Sequence, residues 1–141
     1  MQNIVPFEVV EIEEGSYHPI VRGYINGFQV NLILDTGASR TVIDNTLAEN
    51  LPKVEVESAE PYAAGINAQR LMVEQVKLPS LILGAIDFGS MNVFKTDLSP
   101  ISELYSNYVS FSIHGLLGCD FLVRYSALVN FHENCLVLNV S

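Results

Sequence analysis

Apolar and polar residues alternate along most of the chain with the period of two that marks β-strands. Positions 7–13 (Phe-Glu-Val-Val-Glu-Ile-Glu) alternate and are turned by Glu14-Gly15-Ser16. Two β-rich runs, 20–25 and 28–34, flank Asn26-Gly27. Asn-Gly at that spacing predicts a two-residue hairpin, because both central residues of a type I′ turn need positive φ. Short strands are predicted at 41–43, 53–57, 71–78, 80–83 and 91–94, with a hairpin over 84–89. The chain closes with a strand at 127–131, a turn at 132–134 and a strand at 135–140. Helical spacing is short and sparse. It covers 45–51 after the cap Asp44 and before Pro52, 99–108 with Ser99 as cap and Pro100 in the first turn, and 119–125.

This pattern, over 141 residues with 49% hydrophobic positions, predicts one mostly β domain with two or three short helices and a real core. Residues 1–18 read as an N-terminal extension or added edge strand of that domain. No apolar run reaches the roughly eighteen residues of a membrane helix, and the N-terminus lacks the basic and apolar regions of a signal peptide. Sixteen acids against seven Lys plus Arg give a net charge of −9, a surface that repels phosphate backbones and anionic lipid. Nucleic acid is therefore not an expected partner. The two cysteines, Cys119 and Cys135, form no CxxC motif, and no histidine is spaced for zinc. Reduced thiols in a cytoplasmic protein are expected, with no metal and no cofactor.

The hairpin's second arm runs into Leu32-Ile33-Leu34-Asp35-Thr36-Gly37-Ala38-Ser39, where a carboxylate directly follows an apolar strand. A strand end fixes the Cα of Asp35, and Gly37 allows a sharp turn with room beside it. Thr36 adds a hydroxyl that can brace the loop, and the N–H groups of residues 37–39 are placed to face a carboxylate. On the local pattern alone, an ordinary turn at a strand end is the alternative. One carboxylate is also incomplete for hydrolysis by water, which wants a base for the water and an acid for the carbonyl oxygen. Two adjacent carboxylates sharing a proton supply both. The chain has no second Asp-Thr-Gly or Asp-Ser-Gly, so the partner carboxylate has to come from a second copy.

Leu32-Ile33-Leu34-Asp35-Thr36-Gly37-Ala38, then Thr41-Val42-Ile43, with Leu116-Leu117-Gly118 about eighty residues on, resembles the retropepsin-like aspartic proteases, and more closely their bacterial single-lobe members. The likeness runs from about Ile20 to Val140. It implies a single-lobe, closed β-barrel of the acid-protease fold and an aspartic-type endopeptidase that works as a homodimer on peptide or protein substrates. It assigns catalysis to Asp35, and loop and dimer support to Thr36, Gly37, Ala38 and Ser39. A flap tip falls near Ala64, Gly65 and Ile66 by position only, and Leu116, Leu117 and Gly118 line the pocket.

The chain also departs from the viral pattern. Ser39 and Arg40 replace two acids, and Cys119-Asp120 stands where an arginine ties viral dimers together. The flap region holds one glycine, Gly65, and the stretch 84–112 is longer and adds a helix. Asp120 is read as a helix cap or dipole partner and not as an in-chain mate for Asp35. His114 reads as a half-buried strand residue, Cys119 as a small buried one, and Tyr62 as a flap-side aromatic. Two functions are compatible with this sequence: the dimeric endopeptidase, or a catalytically inactive binding or dimerisation module that kept the loop.

Overall fold

In the computed structural model, which describes residues 2–54 and 74–140, the first strand, β1, covers Gln2–Glu11. It changes partner midway. Residues 2–6 pair antiparallel with the last strand, β12 (Cys135–Asn139), and residues 7–11 with β2 (Tyr17–Ile25). The expected N-terminal extension is thus a strand that joins two ladders, each half paired on one side among the described residues. The alternation explains it: Val5 and Phe7 are buried in the main core, whereas Val10 and Ile12 belong to a second, smaller cluster. The buried face switches between residues 7 and 10, where β1 changes partner.

β2 and β3 (Phe28–Leu34) form the predicted hairpin, with Ile25 opposite Phe28. Asn26 and Gly27 have φ of 51° and 81°, both positive as a type I′ turn requires. β3 is buried from Val30 to Leu34. Val30, Leu32 and Leu34 face the main core, and Ile33 faces the second cluster with Ile20 and Ile113. The strand that delivers Asp35 is therefore gripped from both sides.

Beyond the loop come β4 (Val42–Asp44) and α1 (Asn45–Ala48), shorter than the predicted helix, with Asp44 as its cap. β5 (Lys53–Val54), β6 (Glu74–Leu78), β7 (Leu81–Leu83), β8 (Ile86–Asp87) and β9 (Met91–Thr96) follow. Then α2 (Ser99–Ser106), β10 (Gly115–Leu117), α3 (Cys119–Arg124) and β11 (Leu128–Asn130) lead to β12. Ser99 does not cap α2. Leu98 holds that position without a side-chain bond, because two upstream carboxylates meet the first N–H groups. Asp44 accepts from Leu98 (2.8 Å) and Asp97 from Ser99 (2.9 Å).

The strand order is β11-β12-β1-β2-β3-β10-β4-β9-β6-β5, with β7 on β2 and β8 on β7. Most pairings are antiparallel, but β10 runs parallel to β3 and β4 parallel to β9. Among the described residues no ladder joins β5 to β11, so the expected closed barrel is not closed by hydrogen bonds. Side chains from β1, β3, β6, β9, α3 and β12 instead meet in one core. Among the described residues β11 keeps a free edge, since it pairs there only with β12.

Candidate active site

Asp35 is the first residue past β3, and its backbone is fixed from the neighbouring strand. Its N–H donates to the Leu117 carbonyl at 3.0 Å, which extends the β3–β10 ladder by one bond. The Ala38 N–H then returns to the Asp35 carbonyl at 3.1 Å and closes the turn. Of the N–H groups at 37–39 expected on the carboxylate, one is there: Gly37 N–H donates to Oδ1 at 2.9 Å. A Cβ at residue 37 would stand 3.1 Å from that oxygen, so glycine keeps the approach open. The carboxyl is half-buried, and Thr36 and Gly37 beside it are exposed.

The far end of the loop is held by α3. Cys119 N–H donates to the Ala38 carbonyl (2.8 Å) and Asp120 N–H to the Ser39 carbonyl (3.2 Å). The Cys119 thiol donates to the Thr36 carbonyl at 3.1 Å. Gly118 sits where a Cβ would lie 2.6 Å from the Arg40 backbone and 2.9 Å from the Ala38 carbonyl oxygen, so no other residue allows this crossing. Of the three pocket residues expected from Leu116-Leu117-Gly118, Leu116 faces the cavity beside Asp35, Leu117 is fully buried in the core, and Gly118 provides the close crossing.

Asp120 is occupied elsewhere. Its Oδ1 accepts from Thr41 N–H (2.9 Å), Thr41 Oγ1 (2.7 Å) and Phe121 N–H (2.8 Å). Thr41 Oγ1 in turn accepts from Gly118 N–H at 3.1 Å. This part-buried clamp ties the loop's exit to the start of α3.

A cavity of about 500 Å³ opens beside Asp35 and Thr36. Ile33, Leu34 and Leu116 line it from the sheet, and Ile101, Leu104 and Tyr105 from α2. Among its lining residues Asp35 is the only carboxylate. Two neighbours of Asp35 escape a motif-based reading: His18, and Tyr105 in the added helix. Positions 101, 104, 105 and 108 do follow the helical apolar spacing, which was the available signal. Tyr105 is only 3% exposed, and its hydroxyl has no hydrogen-bond partner among the described residues. Burial, and then the charge of Asp35, pushes the phenol up to about 12, so it stays protonated at any working pH. The His18 ring lies 5.6 Å from the Tyr105 ring.

His114 is a half-buried residue beside β3, not part of the cavity. Its Nδ1 accepts from Asn31 N–H at 2.9 Å, and burial lowers its pKa against the smaller raising effect of Asp44. The flap expected at Ala64, Gly65 and Ile66, and Tyr62 with it, lies outside the described residues.

A family model for aspartyl proteases matches residues 21–121, a span that holds both the Asp35 loop and the Gly118 crossing. No curated protein sequence matches the chain. Among solved structures, a retropepsin-like aspartic protease from Rickettsia conorii is similar with a TM-score of 0.54 and 16% identity, over 98% of this chain and 90% of that one. The retroviral protease-like domain of Ddi1 from Leishmania major is similar with a TM-score of 0.53 and 17% identity, over 86% of this chain and 88% of that one. At these identities the likeness is one of fold, and the fold is the retropepsin-like one.

Proposed function

The chain belongs to the aspartyl protease family, and from that premise we propose that it is an aspartic-type endopeptidase whose active site is shared by two copies of the chain. The observation that carries the reading is the isolation of Asp35: among the described residues it is the only carboxylate that lines the cavity, and Asp120 Oδ1 is engaged in the Thr41 clamp. A two-fold axis beside the exposed Thr36-Gly37 tip would set the two Asp35 carboxyls side by side. Two such negative charges about 3 Å apart cannot both persist, so the pair holds one proton, as in aspartic proteases generally. The ionised member takes a proton from water as it attacks the peptide carbonyl, and the protonated member donates to the carbonyl oxygen.

Two further features support a second copy. The Thr36 side chain is exposed and forms no bond within the described residues, so its hydroxyl is available to the opposite loop. The free strand β11 also carries one end of an apolar row: Leu128 (60% exposed), its neighbour Val137, and Ile4 (67% exposed) lie in register across β11, β12 and β1. An exposed edge of this kind invites pairing.

The test is hydrolysis of casein or a mixed peptide library between pH 4 and 7 by the native protein and by Asp35→Asn. Asn is nearly isosteric and cannot act as the base. The native protein should cleave and be blocked by a statine-type inhibitor, while Asp35→Asn should fold equally well and cleave nothing. Equal rates would remove Asp35 from catalysis. A native dimer that cleaves nothing would leave the fold as a binding or dimerisation module.

A further inference from the structure

Hydrolysis by a shared carboxylate pair uses one ionisable group of the cavity beside Asp35 and leaves another without a task. Among the described residues that line the cavity, His18 is the only side chain able to carry a positive charge. It is half-buried on β2. Its ring packs at 5.6 Å against the ring of Tyr105, which is itself buried, and its Nε2 lies 3.3 Å from Ser16 Oγ. Nδ1 makes no hydrogen bond, and the ring no ion pair, among the described residues. The titratable groups near His18 are few. Asp35 stands at the same cavity from the end of β3, Tyr105 comes from α2, and Tyr17 precedes His18 on β2. Glu11, opposite Tyr17 on β1, turns its carboxylate to Gly15 N–H at 2.9 Å, and Glu13 and Glu14 are exposed on the turn between. β11 and the turn after it bring only Val129 and Phe131.

We infer that His18 sets the charge preference of this site: protonated, it holds the carboxylate of a glutamate or aspartate side chain of the bound peptide, and neutral, it does not. This rests on the peptidase reading above. Histidine is the side chain that changes charge between about pH 5 and 8. The preference therefore belongs to the acid side of neutrality, where a peptide carboxylate is already ionised. The apolar walls, Ile33, Ile101 and Leu116, lower the local dielectric and strengthen a contact between opposite charges. Asp35 repels the same carboxylate, but it acts at the scissile carbonyl, a side chain's length from the tip that reaches His18. Coulomb energy falls with distance, so the direct contact outweighs that repulsion. The catalytic pair also carries a single negative charge between its two carboxyls. The Tyr105 ring braces the imidazole, and α2 belongs to the stretch that is longer here than in the viral pattern, so the preference arises from this chain's own added element.

The experiment measures affinities of uncleavable statine-type peptides in the matched pairs glutamate against glutamine and aspartate against asparagine, placed in turn at each position flanking the statine. They are titrated at about pH 5.5 and about pH 8 into the native protein, His18→Gln and His18→Lys. At one position the native protein should favour the acidic member at the lower pH by about three- to tenfold, between the worth of an exposed ion pair and that of a buried charged bond. At the higher pH that ratio should fall to about one. In His18→Gln it should be about one at both pH values, and in His18→Lys, a cation throughout, it should persist at both. The members of a pair meet the same protonation state of the catalytic carboxyls, so that contribution cancels. Equal ratios in the native protein and His18→Gln at the lower pH would overturn the inference, as would an acidic preference that the native protein keeps at the higher pH. Binding does not depend on turnover, so the outcomes separate. His18-dependent ratios in a protein that cleaves nothing would uphold His18 and end the peptidase reading, and casein cleavage without such ratios would do the reverse. Failure of the native protein to bind any of the peptides would overturn the assignment of His18.

Discussion

Replacing Asp120 discriminates a structural acid from a catalytic one, and the structure sets the size of the effect. Its Oδ1 accepts three bonds, two from Thr41 and one from Phe121 N–H. Thr41 and Phe121 are each 1% exposed, so water does not replace a lost acceptor. Asp120→Ala strands the Thr41 N–H, the Thr41 hydroxyl and the Phe121 N–H, and each unsatisfied buried donor costs about 1–3 kcal/mol. The hydroxyl can turn to another acceptor, which leaves roughly 2–6 kcal/mol, a large part of the ~5–15 kcal/mol that holds a domain together. Asp120→Asn keeps an acceptor oxygen at the same place and loses only the charge assistance, about 1–2 kcal/mol. Urea unfolding followed by far-UV circular dichroism should therefore show a small drop in midpoint for Asn and a large one for Ala, at unchanged slope. Folded Asp120→Asn should still hydrolyse peptides. An Ala variant within about 0.5 kcal/mol of the native protein would refute the clamp, and a folded but inactive Asn variant would mean that Asp120 joins the chemistry.

Two further perturbations follow from the same geometry. His114 must be neutral at Nδ1 to accept from Asn31, and burial holds its folded pKa below the unfolded value of about 6.5. The unfolded chain then binds more protons in that window, so stability is full above pH ~6.5 and declines as pH falls toward the folded pKa. In urea midpoints measured from pH 7.5 downward, His114→Gln should flatten this decline, and an identical slope in both proteins would exclude His114 as its source. Thr36→Ala should leave the unfolding midpoint of dilute protein within about 0.5 kcal/mol of native, since Thr36 is exposed and its hydroxyl forms no bond within the described residues. It should weaken self-association in sedimentation velocity, and unchanged association would take the hydroxyl off the axis.

The parts of the fold that sequence reveals are those with a local cause. Asn26-Gly27 reads as a hairpin because the turn demands positive φ at two adjacent residues, and both have it. α3 and the closing hairpin of β11 and β12 follow from spacing and turn residues within a few positions. The misreadings have distant causes. β1 looks like an added edge because its apolar phase shifts between Phe7 and Val10, and only the pairing with β12, more than 120 residues away, shows the shift to be a change of partner. Ser99 has the right residue type for a cap, but Asp44 reaches Leu98 across 54 positions and Asp97 takes Ser99's own N–H.

The candidate site divides in the same way. Asp35-Thr36-Gly37 and the late Leu116-Leu117-Gly118 stand out because a strand end, a glycine and a close crossing leave short signatures. The duty of Asp120 toward Thr41 spans 79 positions and leaves none. Tyr105 is legible as a helical apolar position, but its burial against Ile20 and Ile33 exists only once α2 is folded against β2 and β3.

The claim that two copies of Asp35 make one site is tested most directly by mixing. Native protein at fixed concentration is equilibrated with increasing Asp35→Asn, the total being high enough for association, and peptide hydrolysis per native chain is recorded. A shared site predicts that activity per native chain falls roughly as the native fraction of all chains, because each mixed pair holds one Asp35 and lacks the second carboxylate. Activity per native chain that stays constant at every ratio, in protein shown by sedimentation to exchange partners, would mean that a single Asp35 suffices and would contradict the account.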